Sequence, residues 1–172
     1  IVCITKIMVK KFQMYDLLPV HRTMMTEKMG MKITFPGTTS AQSGLDLALC
    51  ACFVFEGEVA EHPMLQAVDP VVGPVLRQLI ADEKFVGKKK QSVLIHTSGK
   101  LNTQRLLLIG AGKRLDFKLS DVCYLAGVAA RKANRLKVTR LGLVLDVGQQ
   151  SEAKRIGELL AVGASLAGYQ FD

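Results

Sequence analysis

Apolar positions along the chain fall into short continuous runs separated by stripes of helical period. MKITFP (31–36) is apolar and β-branched in its middle and is followed by GTTSAQSG, so a strand and then a loop are predicted. LALCACFVF (47–55) predicts a second strand, whose alternation sets Cys50 and Cys52 on one face and Leu49 and Ala51 on the other, with Glu56 and Gly57 ending it. DPVVGPVLRQLIA (69–81) predicts a helix: Asp69 can cap it, Pro70 suits its first position, and Val72, Leu76, Leu79 and Ile80 keep the period. Pro74 would kink or delay it. QSVLIHT (91–97) and RLLLIGAG (105–112) predict two strands around the turn SGKLNTQ, the second buried on both faces because its apolar run is unbroken. Ser120 is a good cap for a helix whose stripe is Val122, Leu125, Ala126, Ala129, Ala133 and Leu136. TRLGLVLD (139–146) adds a strand, and Ser151 opens a last helix with the stripe Ile156, Leu159, Leu160, Gly163 and Ala167. The order β-β-α-β-β-α-β-α predicts an α/β fold with a mixed or mostly parallel sheet sandwiched by helices.

With 172 residues and 49% apolar and 22% charged residues, the chain fits one ordinary domain and is neither disordered nor fibrous. The longest apolar run has nine residues, from Leu47 to Phe55, against the roughly 20 of a membrane-spanning helix; no membrane partner is expected. Cys3, Cys50, Cys52 and Cys123 are too scattered for a disulfide framework, which points to a reducing, cytoplasmic compartment. Residues 1–28 mix Lys6, Lys10, Lys11, Asp16 and Arg22 among apolar residues without the order of a secretory signal. They are expected to be a leader outside the fold, with Met24, Met25, Met29 and Met31 as candidate starts.

Charge is unevenly placed. From Lys84 to Arg140 there are 14 Lys/Arg against Asp116 and Asp121, a net +12, and the remainder is net −4. Such a basic middle suits a nucleic acid or another polyanion, with Lys84, Lys88, Lys89, Lys90, Lys113 and Arg114 as the candidate contacts. Solvated turns and helix ends are the stronger account of it, and Arg131, Lys132, Arg135 and Lys137 have a helix C-terminus as their own explanation. Scarce aromatics, 6% with no Trp, argue against a base-stacking platform. Gly110, Gly112 and Lys113 between a strand and a helix offer a possible phosphate loop. Leu107 and Arg114 break the Walker spacing, and Leu115 breaks the dinucleotide fingerprint, so a tight turn competes with it. Cys50 and Cys52 lack a second Cys or His pair for zinc, and read as buried small hydrophobes. His21, His62 and His96 have no triad or metal spacing, and a structural role is expected for His96. Glu56, Glu58 and Glu61 lie irregularly on a turn, and Asp146 at a strand end could cap the region of the helix at Ser151 or face a crevice.

LIADEKFVGKKKQ (79–91), RLLLIGAGKR (105–114), DVCYLAGVAARKA (121–133) and GELLAVGASLAGYQFD (157–172) occur in an order that resembles the N-terminal domain of the leucyl aminopeptidases, the cytosol aminopeptidase family. The resemblance runs from about Glu56 to Asp172 and is carried most by the Gly- and Ala-rich helix leading into Tyr169, Phe171 and Asp172. It implies a macro-like, three-layer α/β/α domain over residues 29–172. In that family, catalysis belongs to a following domain with paired Zn or Mn ions held by motifs such as NTDAEGR, and none of those motifs occurs here. The resemblance therefore implies no catalytic or metal residue and no cofactor in this chain. It implies a noncatalytic domain that partners the catalytic domain, assists a homo-hexamer and shapes access to its active sites. A stand-alone nucleic-acid-binding module is the alternative, and a nucleotide or ADP-ribose pocket near Gly110 to Lys113 follows from fold analogy alone.

Overall fold

The computed structural model describes residues 3–9, 31–34, 47–146 and 153–167. Its elements in chain order are β1 (Cys3–Val9), β2 (Met31–Thr34), β3 (Leu49–Phe55), α1 (Pro63–Asp82), β4 (Ser92–His96), β5 (Arg105–Gly112), a 3-10 turn (Arg114–Asp116), α2 (Leu119–Arg135), β6 (Arg140–Leu145) and α3 (Ala153–Ala167). The strands form one sheet in the order β2-β1-β6-β3-β5-β4. β3 pairs parallel with both β5 and β6, while β4 on β5, β1 on β6 and β2 on β1 are antiparallel. The parallel strands thus sit in the middle, where both faces must be covered, and all seven residues of β3 are buried.

Alternation along the central strands feeds two cores. Leu49, Ala51, Phe53 and Phe55 of β3 join Leu107 and Ile109 of β5 under α2 and α3. Cys50, Cys52 and Val54 join Leu106 and Leu108 under α1. The result is the expected three-layer α/β/α sandwich with a mixed sheet. The stripe Val122, Leu125, Ala126, Ala129 and Ala133 of α2 is buried as its period requires, and so are Ile156, Leu160 and Gly163 of α3. Where α2 and α3 cross, a Cβ on Gly163 would lie 2.2 Å from the Cys123 carbonyl oxygen, so glycine is what permits the approach. The Cys123 thiol donates to the Leu159 carbonyl at 3.3 Å in the same contact.

Several expectations are corrected. The helix expected at 69–81 begins at Pro63 and carries Pro70 and Pro74 in its interior. Pro63 takes the first helical position, where its missing N–H costs nothing. Pro70 and Pro74 fall on the solvent face, so water can satisfy the carbonyls they leave unpaired. Asp69, expected as a cap, instead pairs with Arg77 across Gly73, whose bare α-carbon leaves room for the carboxylate. α2 starts earlier than Ser120: its N-cap is Lys118, whose backbone N–H donates to the Asp121 carboxylate at 2.9 Å. Residues 1–28 were expected outside the fold, yet Cys3–Val9 is a strand in the sheet, giving β6 a backbone partner on the side away from β3. Its sequence, rich in β-branched Ile, Thr and Val, suits that role. His96, expected to be structural, is exposed at the sheet edge. Phe35, Pro36 and Ser151 lie outside the described residues.

Candidate functional site

The carboxyl ends of the three parallel strands open on one side of the sheet, which is where open α/β folds place their ligands. The segment after β3 brings Glu58 and His62 to this edge, the turn after β5 brings Lys113 and Arg114, and β6 ends on Asp146. Arg114 joins all three. Its guanidinium donates from Nε to Glu58 Oε1 at 2.8 Å and from Nη2 to Oε2, approaches the Asp146 carbonyl oxygen at 3.5 Å, and lies 4.0 Å over the Phe55 ring. Phe55 in turn meets Phe117 edge-on at 5.0 Å. The Arg114 hydrogen bonds hold the Glu58 carboxyl below its ordinary range, and Glu58 raises the Arg114 guanidinium in return.

Among the described residues His62 is the one buried side chain near this edge without its hydrogen bonds. It is 5% exposed, and neither ring nitrogen has a partner among the described residues. The Phe53 backbone stands close enough to favour the proton without making a hydrogen bond of normal geometry. Burial lowers the His62 pKa, outweighing the pull of Asp146 and Glu58, so the ring is held neutral.

The basic candidates converge on the same edge. Gly87, Lys88 and Lys89 pack against β5: the Gly112 N–H donates to the Gly87 carbonyl and the Gly110 N–H to the Gln91 carbonyl, both at 2.9 Å. A Cβ on Gly110 would lie 2.0 Å from the Lys88 carbonyl oxygen, and one on Gly112 would meet the Lys89 side chain. The two glycines therefore serve the close approach of the 87–91 backbone, and their amides are already bonded rather than turned toward a phosphate. This is the tight-turn reading of that motif.

Gln91 frames the lysine loop. Its side chain accepts from the N–H groups of Val86 and Lys88 and donates to the Lys84 carbonyl, at 3.0 to 3.1 Å, while Phe85 is buried beneath. Lys84 and Lys90 take positive φ, 48° and 74°, within this frame. Two of the six candidates are engaged: Arg114 with Glu58, and Lys89 with Asp121. Lys84, Lys88, Lys90 and Lys113 are exposed and make no ion pair with another described residue. Gln91 and His62 were not singled out by sequence reasoning. A signal for His62 was present in the His-Pro step that opens α1.

Cys50 and Cys52 are buried side by side as expected, and their contact with burial pushes the Cys52 thiol well above its ordinary pKa. Among the described residues no group of three His, Cys, Asp or Glu is placed to hold a metal ion. No described helix is long and apolar enough to cross a membrane.

The fold and its strand-end edge define a three-layer α/β domain with a mixed sheet, and comparison with known proteins assigns it more narrowly. Residues 51–172 match the model of the cytosol aminopeptidase family, N-terminal domain, and the chain belongs to that family. A probable cytosol aminopeptidase of Alkaliphilus oremlandii is 28% identical over 122 residues, which cover 69% of this chain and 24% of that protein. One from Thermosynechococcus vestitus is 31% identical, covering 78% and 27%, and one from Roseiflexus castenholzii is 34% identical, covering 56% and 20%. A tomato leucine aminopeptidase variant shares the fold with a TM-score of 0.65 at 22% identity, over 78% of this chain and 27% of that one. The chain thus spans about a quarter of the length of the relatives it matches.

Proposed function

We propose that this chain acts as the noncatalytic N-terminal domain of a cytoplasmic, metal-dependent aminopeptidase, working beside a catalytic segment that holds the Zn or Mn ions and cleaves N-terminal residues from peptides. Its own work is to assist assembly, a homo-hexamer in the family it belongs to, and to shape access to the active sites. The observation that carries this reading is the family match over 51–172, together with the quarter of the relatives' length that the chain spans. The Arg114 clamp supports it physically, because it stiffens the edge to which β3, β5 and β6 deliver their loops. Antibody raised against this chain should detect a native product near about 50 kDa, the size of a two-domain protein, and the chain alone should release no Leu from a chromogenic amide with Mn or Zn. Amide cleavage that co-elutes with the 18.8 kDa chain would overturn the reading.

A second function, polyanion binding, is favoured by one observation: Lys84, Lys88, Lys90 and Lys113 are exposed, outside ion pairs with described residues, and close to a rigid Gln91-framed loop. If these four meet duplex phosphates, log affinity should fall with log salt at a slope of about −4. Absent or salt-independent binding to duplex DNA would exclude it.

A further inference from the structure

The far edge of the sheet is built differently from the site above. Among the described residues β4 pairs with β5 alone. The bonds from Gly110 N–H to the Gln91 carbonyl and from Thr97 N–H to the Gln104 carbonyl bracket the ladder. Antiparallel alternation then makes Val93 and Ile95 the residues bonded to β5, and turns the N–H and C=O groups of Ser92, Leu94 and His96 outward. Native edges are blunted by shortness, by a covering helix or loop, or by a charge, a proline or a bulge on the strand itself. β4 reads SVLIH and has none of the last three, and its register on β5 is unbroken.

Beside this edge, on the α2 face of the sheet, lies an open crevice. Leu107, Ile109 and Val128 form its floor, and Arg131, Lys132 and Arg135 of α2 stand along its wall. None of these three cations is in an ion pair with another described residue. Leu94 is half-buried on the same face, and Ser92 lines the crevice mouth. From Lys84 to Leu115 the chain contains no Asp or Glu, so the segments leading into and out of β4 carry one sign of charge. Helix-end cations alone would explain Lys132 and Arg135. They do not explain a strand edge that has no partner among the described residues beside them.

We propose that β4 is a docking edge for an extended acidic segment of a partner protein, which adds as a further strand with its carboxylates directed at Arg131, Lys132 and Arg135. Main-chain bonds to Ser92, Leu94 and His96 supply the register, and the cations supply selectivity. A second copy of this chain is a poor occupant, because it would bring the same uncompensated cations to the joint. The inference is independent of the aminopeptidase reading.

The test uses the whole chain and a labelled seven-residue peptide of alternating Glu and Val, followed by fluorescence anisotropy in 50 mM salt. Saturable binding is expected, weakened at least tenfold by the double substitution Arg131→Glu and Arg135→Glu. His96→Pro, which removes an outward N–H and leaves the β5 ladder intact, should weaken it at least fivefold. The same peptide N-methylated at alternate residues should fail to bind, and so should its Lys-Val counterpart; both controls leave the protein unaltered. Absence of saturation at millimolar peptide overturns the proposal, as does a sedimentation profile showing self-association through β4. Equal binding of the N-methylated peptide overturns it as well, since attraction would then be charge without strand addition.

Discussion

The two faces of the sheet are closed by different means. On one, α2 and α3 meet each other as well as the sheet, and Gly163 rests on the Cys123 backbone with no room for a side chain. On the other, α1 is the one helix among the described residues, carries two prolines in its interior, and packs on thiols and aliphatic side chains. Close packing between two helices leaves few alternative arrangements, whereas a single helix whose interior carbonyls are partly unbonded can shift without collision. The contrast teaches that fold specificity is concentrated in the α2/α3 layer and that the α1 layer is the adjustable one.

The sharpest way to break this contrast is Gly163→Val, which forces a Cβ onto the Cys123 carbonyl; a loss of about 3 kcal/mol or more in urea unfolding is expected, and a near-neutral result would sink the idea of a locked layer. On the α1 side, Leu76→Ala should cost about 2 kcal/mol, at the low end for a buried leucine, because this helix can settle into the space. A loss at the upper end of the leucine range would make the two layers equally rigid. Pro74→Ala should raise stability by about 1 kcal/mol, as the restored N–H reaches the Pro70 carbonyl on an exposed face. Thermal melts decide that sign directly.

The smallest effects concern pH. Glu58→Gln should cost under about 1 kcal/mol at pH 7, since the pair with Arg114 is partly solvated. Folded Glu58 binds its proton less readily than unfolded Glu58, so the pair's contribution is present above about pH 4.3 and lost as pH falls below that. His62 has the same sign: the folded protein resists a proton that the unfolded chain accepts, so stability falls as pH drops below about 6.5. Urea midpoints at successive pH values should show this acid loss in the native chain and a shallower one in His62→Leu. Identical slopes would mean that His62 does not titrate against burial.

Legibility in the sequence tracked how local each determinant was. RLLLIGAG was readable to the residue because an apolar run closed by glycines has few other solutions. α1 reads short in the sequence because Asp69 and Pro70 look like a cap and a first helical position and Pro74 like a kink, and only the three-dimensional face the two prolines occupy shows why a longer helix tolerates them. The cap of α2 was misplaced because Asp121 reaches back to an N–H belonging to Lys118, a residue with no capping side chain. Composition alone marks the lysine loop, but it does not show that Arg114 and Lys89 are engaged by Glu58 and Asp121. The strand-end cluster of Glu58, His62, Arg114 and Asp146 depends on parallel pairing between distant segments, which no local pattern encodes.

Parallel pairing at the centre also sets a timetable. Leu49 of β3 pairs with Leu141 of β6, about 90 residues further along, and ribosomes at roughly 5 to 20 residues per second need on the order of 5 to 20 seconds to supply it. Throughout that interval Cys50 and Cys52, sealed in the finished sheet, belong to a nascent strand with one flank open. The hazard to these thiols is therefore one of birth rather than of later life: an oxidant present during synthesis would find them, and the same oxidant added after the sheet closes would not.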